Sequence, residues 1–386
     1  MSSHSYALGQ ALDSMPSRKR ECVLTTRAVN RALIARQRLL RRDTSSALDA
    51  IEHLVGMQSQ APNPPYIGLW TRLEQFRHDD LSTLMLDRKA VRIALMRSTI
   101  HLVSADDCRR LRPLLQPVIE RDFNSAYTKL LAGLDPSEVT TAGRELVEER
   151  PRTFSELGAS LQARWPDRDR QALSQAVRTF VPLVQVPPRG LWGQSGQSLH
   201  TSAEAWLGRS LAQSLDPGEL FLRYLAAFGP ASVRDAQAWS GYTGLQAVAD
   251  RLRPELVTFR DEQGRELFDL PEAPRPDPAT PVPVRFLPEF DNILLSHADR
   301  TRIISAEHRA RVFTNNGIIR GTVLIDGFVG ATWKISRASG AATLTVDLFA
   351  DTSESNREAI VDEGERLLRF AAEEATSTSV QFAPDA

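Results

Sequence analysis

The spacing of apolar residues predicts helices and then a two-stranded ribbon early in the chain. The clearest helical stripe consists of Tyr66, Leu69, Trp70, Leu73 and Phe76. Residues at this spacing share one face of an amphipathic helix. After it, alternating residues at 91–95 and 101–103 predict two strands joined by a turn at 97–99. With two more helical stretches upstream, this is the order of a winged helix.

The same order of helices and strands recurs twice in the residues that follow. Two helical stripes between residues 154 and 180 lead into a strand at 183–186. A stripe over 245–252 is followed by strands at 256–260 and 266–270. We therefore predict three tandem winged-helix modules after a flexible tail. The tail spans 1–21, and the modules span 22–135, 136–212 and 213–272.

The C-terminal third has the pattern of a small β-rich unit. Six prolines within 271–283 indicate a linker. The Asp-Gly pair at 326–327 lies between two apolar runs, which is the strongest short-range signal for a hairpin. Alternation over 344–348 predicts another strand, and a capping box at 355–358 predicts the start of a final helix. We predict a β-barrel or sheet closed by a helix at 273–386, and an α+β fold overall.

Length and composition narrow the class of protein. A chain of 386 residues with 42% hydrophobic residues is long enough for several packed modules. No apolar stretch reaches the roughly 18 residues of a membrane span, and the N-terminus lacks the apolar core of a secretory signal. Two cysteines cannot form a disulfide framework. We therefore expect a cytoplasmic protein with no membrane partner.

Charge is distributed unevenly along the chain. Residues 1–130 contain 20 Lys+Arg and 13 Asp+Glu, a net charge of +7. The remaining residues contain 27 Lys+Arg and 35 Asp+Glu, a net charge of −8, so the whole chain has a net charge of −1. A basic face on the first third could bind phosphate even though the whole chain is close to neutral. The alternative is a solvated helix face. Only four of the 47 basic residues are lysines, so few amines are available for a Schiff base.

Several common catalytic motifs are absent from the sequence. It has no P-loop, dinucleotide-binding glycine fingerprint, HExxH, CxxC pair or GxSxG elbow. Its seven histidines are scattered, so we predict no metal site and no cofactor. His297 and Asp299 follow the acidic segment 287–291. This cluster could supply acid–base groups, or it could be a polar network that ties a helix to a sheet.

Gln58-Ser59-Gln60 ends a predicted helix and precedes a proline-rich segment, and its spacing alone carries no information. Its surroundings, however, resemble the winged-helix DNA glycosylases of the AlkZ/YcaQ type. The resemblance is carried by residues 54–70, 95–103, 287–300 and 321–333, within a match from about 22 to 375. It implies three tandem winged helices and a β-barrel that form a C-shaped DNA clamp. It also implies monofunctional excision of N7-alkylated purines, including unhooking of interstrand crosslinks.

The resemblance also implies which residues are catalytic. The family motif is Gln–aliphatic–Gln in AlkZ-like members, which assigns catalysis to Gln58 and Gln60. Ser59 departs from the aliphatic middle position, which puts full activity in question. An N7-alkylpurine is already cationic, so its glycosidic bond can break without a general acid. Two amide carbonyls could then position a water and stabilise the cationic sugar.

Three further residues near this motif are candidates for DNA contacts. Arg97 lies at the tip of the first ribbon, His101 lies on its second strand, and Asn63 lies in the proline-rich segment. Arg97 and His101 could equally be structural residues of the turn and ribbon. We expect a monomer that acts at the nucleoid on double-stranded DNA carrying alkylated or crosslinked purines. The alternative is a non-catalytic winged-helix DNA-binding protein, such as a transcriptional regulator.

Overall fold

A computed structural model describes residues 22–384, so the predicted tail at 1–21 lies outside the described residues. The segment from 22 to 104 contains four α-helices and four short strands. These elements are β1 (Val23–Leu24), α1 (Thr26–Arg36), α2 (Ala47–His53), β2 (Met57–Gln58), α3 (Pro64–Trp70), α4 (His78–Leu86), β3 (Ala90–Ala94) and β4 (Ile100–Ser104). The predicted ribbon is therefore present. The helix predicted from Tyr66 to Phe76 ends at Trp70, although Leu73 and Phe76 are buried as expected.

Helices dominate the middle of the chain. They are α5 (Ala105–Leu114), α6 (Gln116–Ala126), α7 (Pro136–Glu149), α8 (Phe154–Arg164), α9 (Arg170–Phe180), α10 (Ala203–Leu207), α11 (Pro217–Phe228), α12 (Val233–Ser240) and α13 (Leu245–Leu252). Between them lie β5 (Leu183–Gln185) and β6 (His200–Ser202), and the hairpin β7 (Val257–Asp261) with β8 (Glu266–Asp269) follows α13. The stripe of α13 faces inward as predicted, with Leu245, Ala249 and Leu252 buried.

Sheets connect the predicted modules to one another. β3 pairs antiparallel with β5, with Arg92 opposite Gln185. Strands of the predicted first and second modules therefore lie in one sheet, in the order β2-β4-β3-β5-β6. β1 pairs in parallel with β7, which joins the start of the chain to the third module. The number and bounds of the winged-helix modules remain predictions.

The C-terminal third forms an open sheet, so the barrel alternative is wrong. Its elements are β9 (Arg285–Leu287), α14 (Arg309–Val312), β10 (Thr322–Ile325), β11 (Phe328–Ala338), β12 (Ala341–Leu348), α15 (Glu354–Ala371) and β13 (Ser377–Phe382). The strand order is β13-β12-β11-β10-β9, and within the described residues the two outer strands do not pair with each other. The reason is the crossover through α15, which returns β13 parallel to β12 at the outer edge of the sheet.

The expected hairpin and closing helix are both present in this sheet. β10 and β11 flank the turn at Asp326-Gly327. α15 buries Ile360, Leu367 and Leu368 in a core shared with the sheet. Its N-cap is Ser353, whose hydroxyl accepts from the Asn356 N–H, so the capping box predicted at 355–358 is wrong by two residues.

Arginines of the first third form ion pairs with carboxylates of the remainder. Arg36 with Asp269 and Arg72 with Asp291 are fully buried, and Arg42 bonds to the almost fully buried Glu363. Much of the uneven charge along the sequence is therefore neutralised inside the molecule. In the described part of the chain, no helix is long and apolar enough to cross a membrane.

Candidate active site

The chain reverses sharply after α2, and this reversal places Gln58 at the edge of a sheet. α2 ends at His53, and Gly56 then adopts a positive φ of 89°. A Cβ at this position would lie 2.5 Å from the Val103 side chain, so only glycine fits. The chain enters β2, where Gln58 pairs with His101 of β4. Gln58 is therefore held by the same ribbon that carries Arg97.

A turn from the C-terminal third fixes the backbone at Gln58. The Gln58 N–H donates to Asn292 Oδ1 at 3.1 Å, and Asn292 Nδ2 donates to the Gly56 carbonyl at 2.6 Å. Asp291, one residue earlier, is held by two bonds of 2.7 and 2.8 Å from Arg72. Sequence reasoning missed Asn292 as a site residue because its partners are more than 230 positions away.

Arg97 orients the side chain of Gln58. It lies in the ribbon turn with a left-handed φ of 53°, and its Nη2 donates to Gln58 Oε1 at 2.8 Å. Its Nη1 donates to the Trp239 carbonyl at the end of α12. Burial and the nearby Arg300 lower the pKa of Arg97 to about 10, so the guanidinium is still charged at neutral pH. The carbonyl oxygen is the only group on the Gln58 amide that can accept the Nη2–H of Arg97, which fixes the amide orientation.

His101 lies beneath this pair and is neutral. Its ring is 2% exposed, and Nδ1 donates to the Thr99 carbonyl at 2.9 Å. Burial and the neighbouring Arg97 lower the pKa of His101 to about 3. The ring supports the ribbon from inside, and contact with DNA would require it to leave this position. Its role as a DNA contact remains a prediction.

Ser59 accepts hydrogen bonds from a buried arginine. Arg92 of β3 is 1% exposed, and its Nε and Nη2 donate to the Ser59 hydroxyl and carbonyl at 2.9 and 2.7 Å. Among the described residues Arg92 has no carboxylate partner, and burial with nearby Arg189 lowers its pKa to about 10. The Ser59 hydroxyl therefore accepts a hydrogen bond that an aliphatic side chain could not accept. This explains how a serine is accommodated between the two glutamines.

Gln60 and Asn63 lie on the solvent side of the same loop. Both side chains are exposed. Among the described residues, the only hydrogen bond to the Gln60 side chain is a long one of 3.4 Å, from the Ile100 N–H to Oε1. The Asn63 side chain does not cap α3. Asn63 borders a pocket of about 330 Å³, which also includes Trp192, Glu289 and Trp333. The structure thus brings Gln58, Gln60, Arg97, His101 and Asn63 together around one loop.

The cluster of His297 and Asp299 is a structural network. His297 is 1% exposed and bonded to the Phe228 carbonyl and Ser296, and burial lowers its pKa to about 3. Asp299 pairs with Arg265 at 2.6 Å and accepts from the Thr301 N–H at 3.0 Å. Both ring nitrogens of His297 are therefore bonded inside the protein, and the Asp299 carboxylate is already paired. No group of three or more metal-ligating side chains is found in the part of the chain that the structure describes.

Comparisons with known proteins give a consistent result. The sequence model of a family described as "DNA glycosylase AlkZ-like" matches residues 51–370. Among solved structures, Streptomyces sahachiroi DNA glycosylase AlkZ aligns with a TM-score of 0.76 and 21% sequence identity, covering 94% of this chain and 100% of that chain. No curated protein matches the sequence at a significant level. At this identity the structural likeness establishes a shared fold, and the family match covers most of the chain.

Proposed function

The chain belongs to the AlkZ-like DNA glycosylase family, and from this premise we propose that it hydrolyses the N-glycosidic bond of cationic N7-alkylated purines in double-stranded DNA. Membership makes it a DNA-acting enzyme, which excludes the alternative of a non-catalytic regulator. The finer proposal is that Gln58 and Gln60 are the catalytic residues. It extends to unhooking of interstrand crosslinks through N7 of a purine, and to action as a monomer at the nucleoid without a cofactor.

The reaction needs little from the enzyme once the base carries a positive charge. An N7-alkylpurine leaves as a neutral base, so the leaving group need not be protonated. What remains is to place a water beside C1′ and to stabilise the cationic sugar of the transition state. Oriented amide dipoles can do both. An amide is a weak base, so positioning contributes more than proton abstraction.

Gln58 has the geometry of an oriented water-binding group. Arg97 occupies one lone pair of Gln58 Oε1, which leaves the second lone pair to accept a hydrogen bond from water. Because the amide is fixed before substrate arrives, no reorganisation is needed when the transition state forms. Gln60, exposed two residues further on, supplies a second carbonyl whose position can adjust to the lesion.

A positive charge beside a cationic sugar is unfavourable unless it is neutralised. We propose that a DNA phosphate neutralises Arg97, which is the contact expected of this residue. The same phosphate would bring the lesion nucleotide toward Gln58. His101 adds no charge here because it is neutral. Asn63 is placed to contact DNA at the exposed side of the loop.

The observation that carries this proposal is the bond from Arg97 to Gln58 in a motif that has no carboxylate between residues 58 and 60. The test compares duplexes that carry a single N7-methylguanine, a bulky N7-alkylguanine or an N7-linked crosslink. We expect release of the alkylated base from all three, because the Gln60 end of the loop is open to solvent. If purified protein releases no base from any of them, the assigned reaction is wrong.

A further inference from the structure

The turn that holds Gln58 also presents a carboxylate with no partner. Glu289 lies three residues before Asn292 and two before Asp291, both of which are bonded to the N-terminal module. Phe290, between them, has a left-handed φ of 58°, so the turn has a defined and strained shape. Glu289 itself makes no hydrogen bond or ion pair with any described residue. A rigid turn therefore holds a free carboxylate beside the catalytic loop.

Glu289 faces two spaces that border the loop. It lines a small cavity together with Gln58 and Asn292. It also lines the larger pocket of about 330 Å³ that begins at Asn63. Partial burial raises the pKa of the Glu289 carboxyl, as expected for a group without a bonding partner.

The larger pocket is also lined by a free positive charge. Lys334 of β11 is exposed and makes no bond with any described residue. Arg337, which also lines this pocket, is occupied by the Ala371 carbonyl at 2.6 Å and by Glu374 at 3.4 Å. Trp192 and Trp333 also line this pocket. The pocket thus combines a free carboxylate, a free ammonium and two aromatic rings.

We propose that this pocket is the subsite for the damaged nucleotide, with Glu289 facing the cationic alkylpurine and Lys334 binding its backbone phosphate. An alkylated nucleotide is itself bipolar, because its base is positive and its phosphate is negative. A carboxylate and aromatic faces attract a cationic ring, and an ammonium pairs with phosphate as a point charge. An undamaged guanine lacks the positive charge, so Glu289 would distinguish the lesion from normal DNA. This inference rests on the proposed function and assigns its specificity to a residue outside the glutamine motif.

The first test replaces the carboxylate without changing its shape. We expect Glu289→Gln to lower kcat/KM for an N7-methylguanine duplex by about tenfold, the effect of losing one close charge contact. Binding of the same duplex without the lesion should not change. Glu272→Gln is the matched control, since Glu272 is exposed and has no bonding partner among the described residues but lies in the proline-rich linker. Neither variant loses a bond of the folded protein, so thermal unfolding should match wild type.

The second test separates the phosphate side of the pocket from the base side. Lys334→Gln should weaken binding of damaged and undamaged duplexes alike, and should reduce the slope of log binding constant against log salt by about 0.9. Lys129→Gln is the matched control, because Lys129 is equally exposed and lies outside the pocket.

The two proposals fail in different ways. Unchanged kcat/KM in Glu289→Gln, or an unchanged salt slope in Lys334→Gln, would overturn the subsite while wild type still released the base. If wild type released no N7-methylguanine, the proposed reaction itself would be wrong. The salt dependence of DNA binding by Lys334→Gln would still show whether Lys334 binds a phosphate. A loss of binding to undamaged DNA in Glu289→Gln would also contradict the assignment, because it would place Glu289 on the general DNA surface.

Discussion

The two ends of the Gln58–Asn63 loop are held in different ways. At the Gln58 end, the ribbon, the Asn292 turn and buried Arg92 fix both backbone and side chains. At the Asn63 end, side chains are exposed and the bond to Gln60 is long. A glycosylase must hold its reactive geometry and still accept lesions of different size. We propose that the buried end sets the chemistry and the exposed end accommodates the substrate.

The largest effect is expected at the buried end. Gln58→Ala removes the oriented carbonyl, and we expect kcat for N7-methylguanine release to fall about 10²-fold, as when one preorganised hydrogen bond to a transition state is lost. Gln213→Ala, at an exposed glutamine outside the loop, is the control. If single-turnover release by Gln58→Ala stays within a few-fold of wild type, the buried end does not set the chemistry.

The bond between Arg92 and Ser59 should matter for stability. Ser59→Val deprives a buried guanidinium of an acceptor, so we expect the free energy of unfolding to fall by about 1–3 kcal/mol. In an Arg92→Met background, Ser59→Val should lower the free energy of unfolding much less, because the hydrogen-bond donor is gone. Urea unfolding of the four proteins measures this coupling. Equal costs of Ser59→Val in both backgrounds would show that the two residues are not coupled.

The buried histidine beside Gln58 predicts how stability depends on pH. His101 has a pKa of about 3 in the folded protein and about 6.5 when unfolded, so only the unfolded state takes up a proton as pH falls below 6.5. Its contribution to stability is full above that pH and is lost progressively toward pH 3. From pH 7 to 5 we expect a loss of roughly 2 kcal/mol from this residue. In His101→Gln, the free energy of unfolding measured with urea should fall correspondingly less between pH 7 and pH 5. An identical fall in the variant and in wild type would argue against a neutral His101.

The smallest effect is expected at the exposed end. Asn63→Ala removes at most one contact with DNA, so we expect KM to rise roughly fivefold, equivalent to about 1 kcal/mol, with little change in kcat. Titration of release rate against duplex concentration separates the two constants. A large fall in kcat with constant KM would instead place Asn63 in the reactive geometry and remove the distinction between the two ends.

Local structure was predictable where the sequence has regular spacing. The β3–β4 ribbon, α13 and the hairpin at Asp326-Gly327 follow from alternation, helical periodicity and turn chemistry. The prediction of a β-barrel was wrong because the spacing of strands along the sequence does not reveal whether the outer strands of a sheet pair with each other. The C-terminal strands form an open sheet because α15 carries β13 to its edge.

The loop at 58–63 was assigned to catalysis through a resemblance, and this assignment stays a proposal. The contacts that support the loop could not be foreseen. Arg97 was expected at a ribbon tip, but nothing local indicates that its guanidinium bonds to Gln58, 39 positions earlier. Asn292 and Glu289 reach the loop only because the C-terminal turn folds back across more than 220 residues. Such contacts are decided by tertiary packing, which periodicity does not encode.

Single-turnover base release from two matched duplexes tests the central claim most directly. One duplex carries N7-methylguanine and the other carries hypoxanthine, a neutral damaged purine. Oriented amides acting on a self-activated base predict release of N7-methylguanine by wild type, no release of hypoxanthine, and at least a 10²-fold slower reaction in Gln58→Ala with Gln60→Ala, by the loss of preorganised hydrogen bonds. Comparable release of hypoxanthine, or wild-type rates in the double variant, would contradict the account.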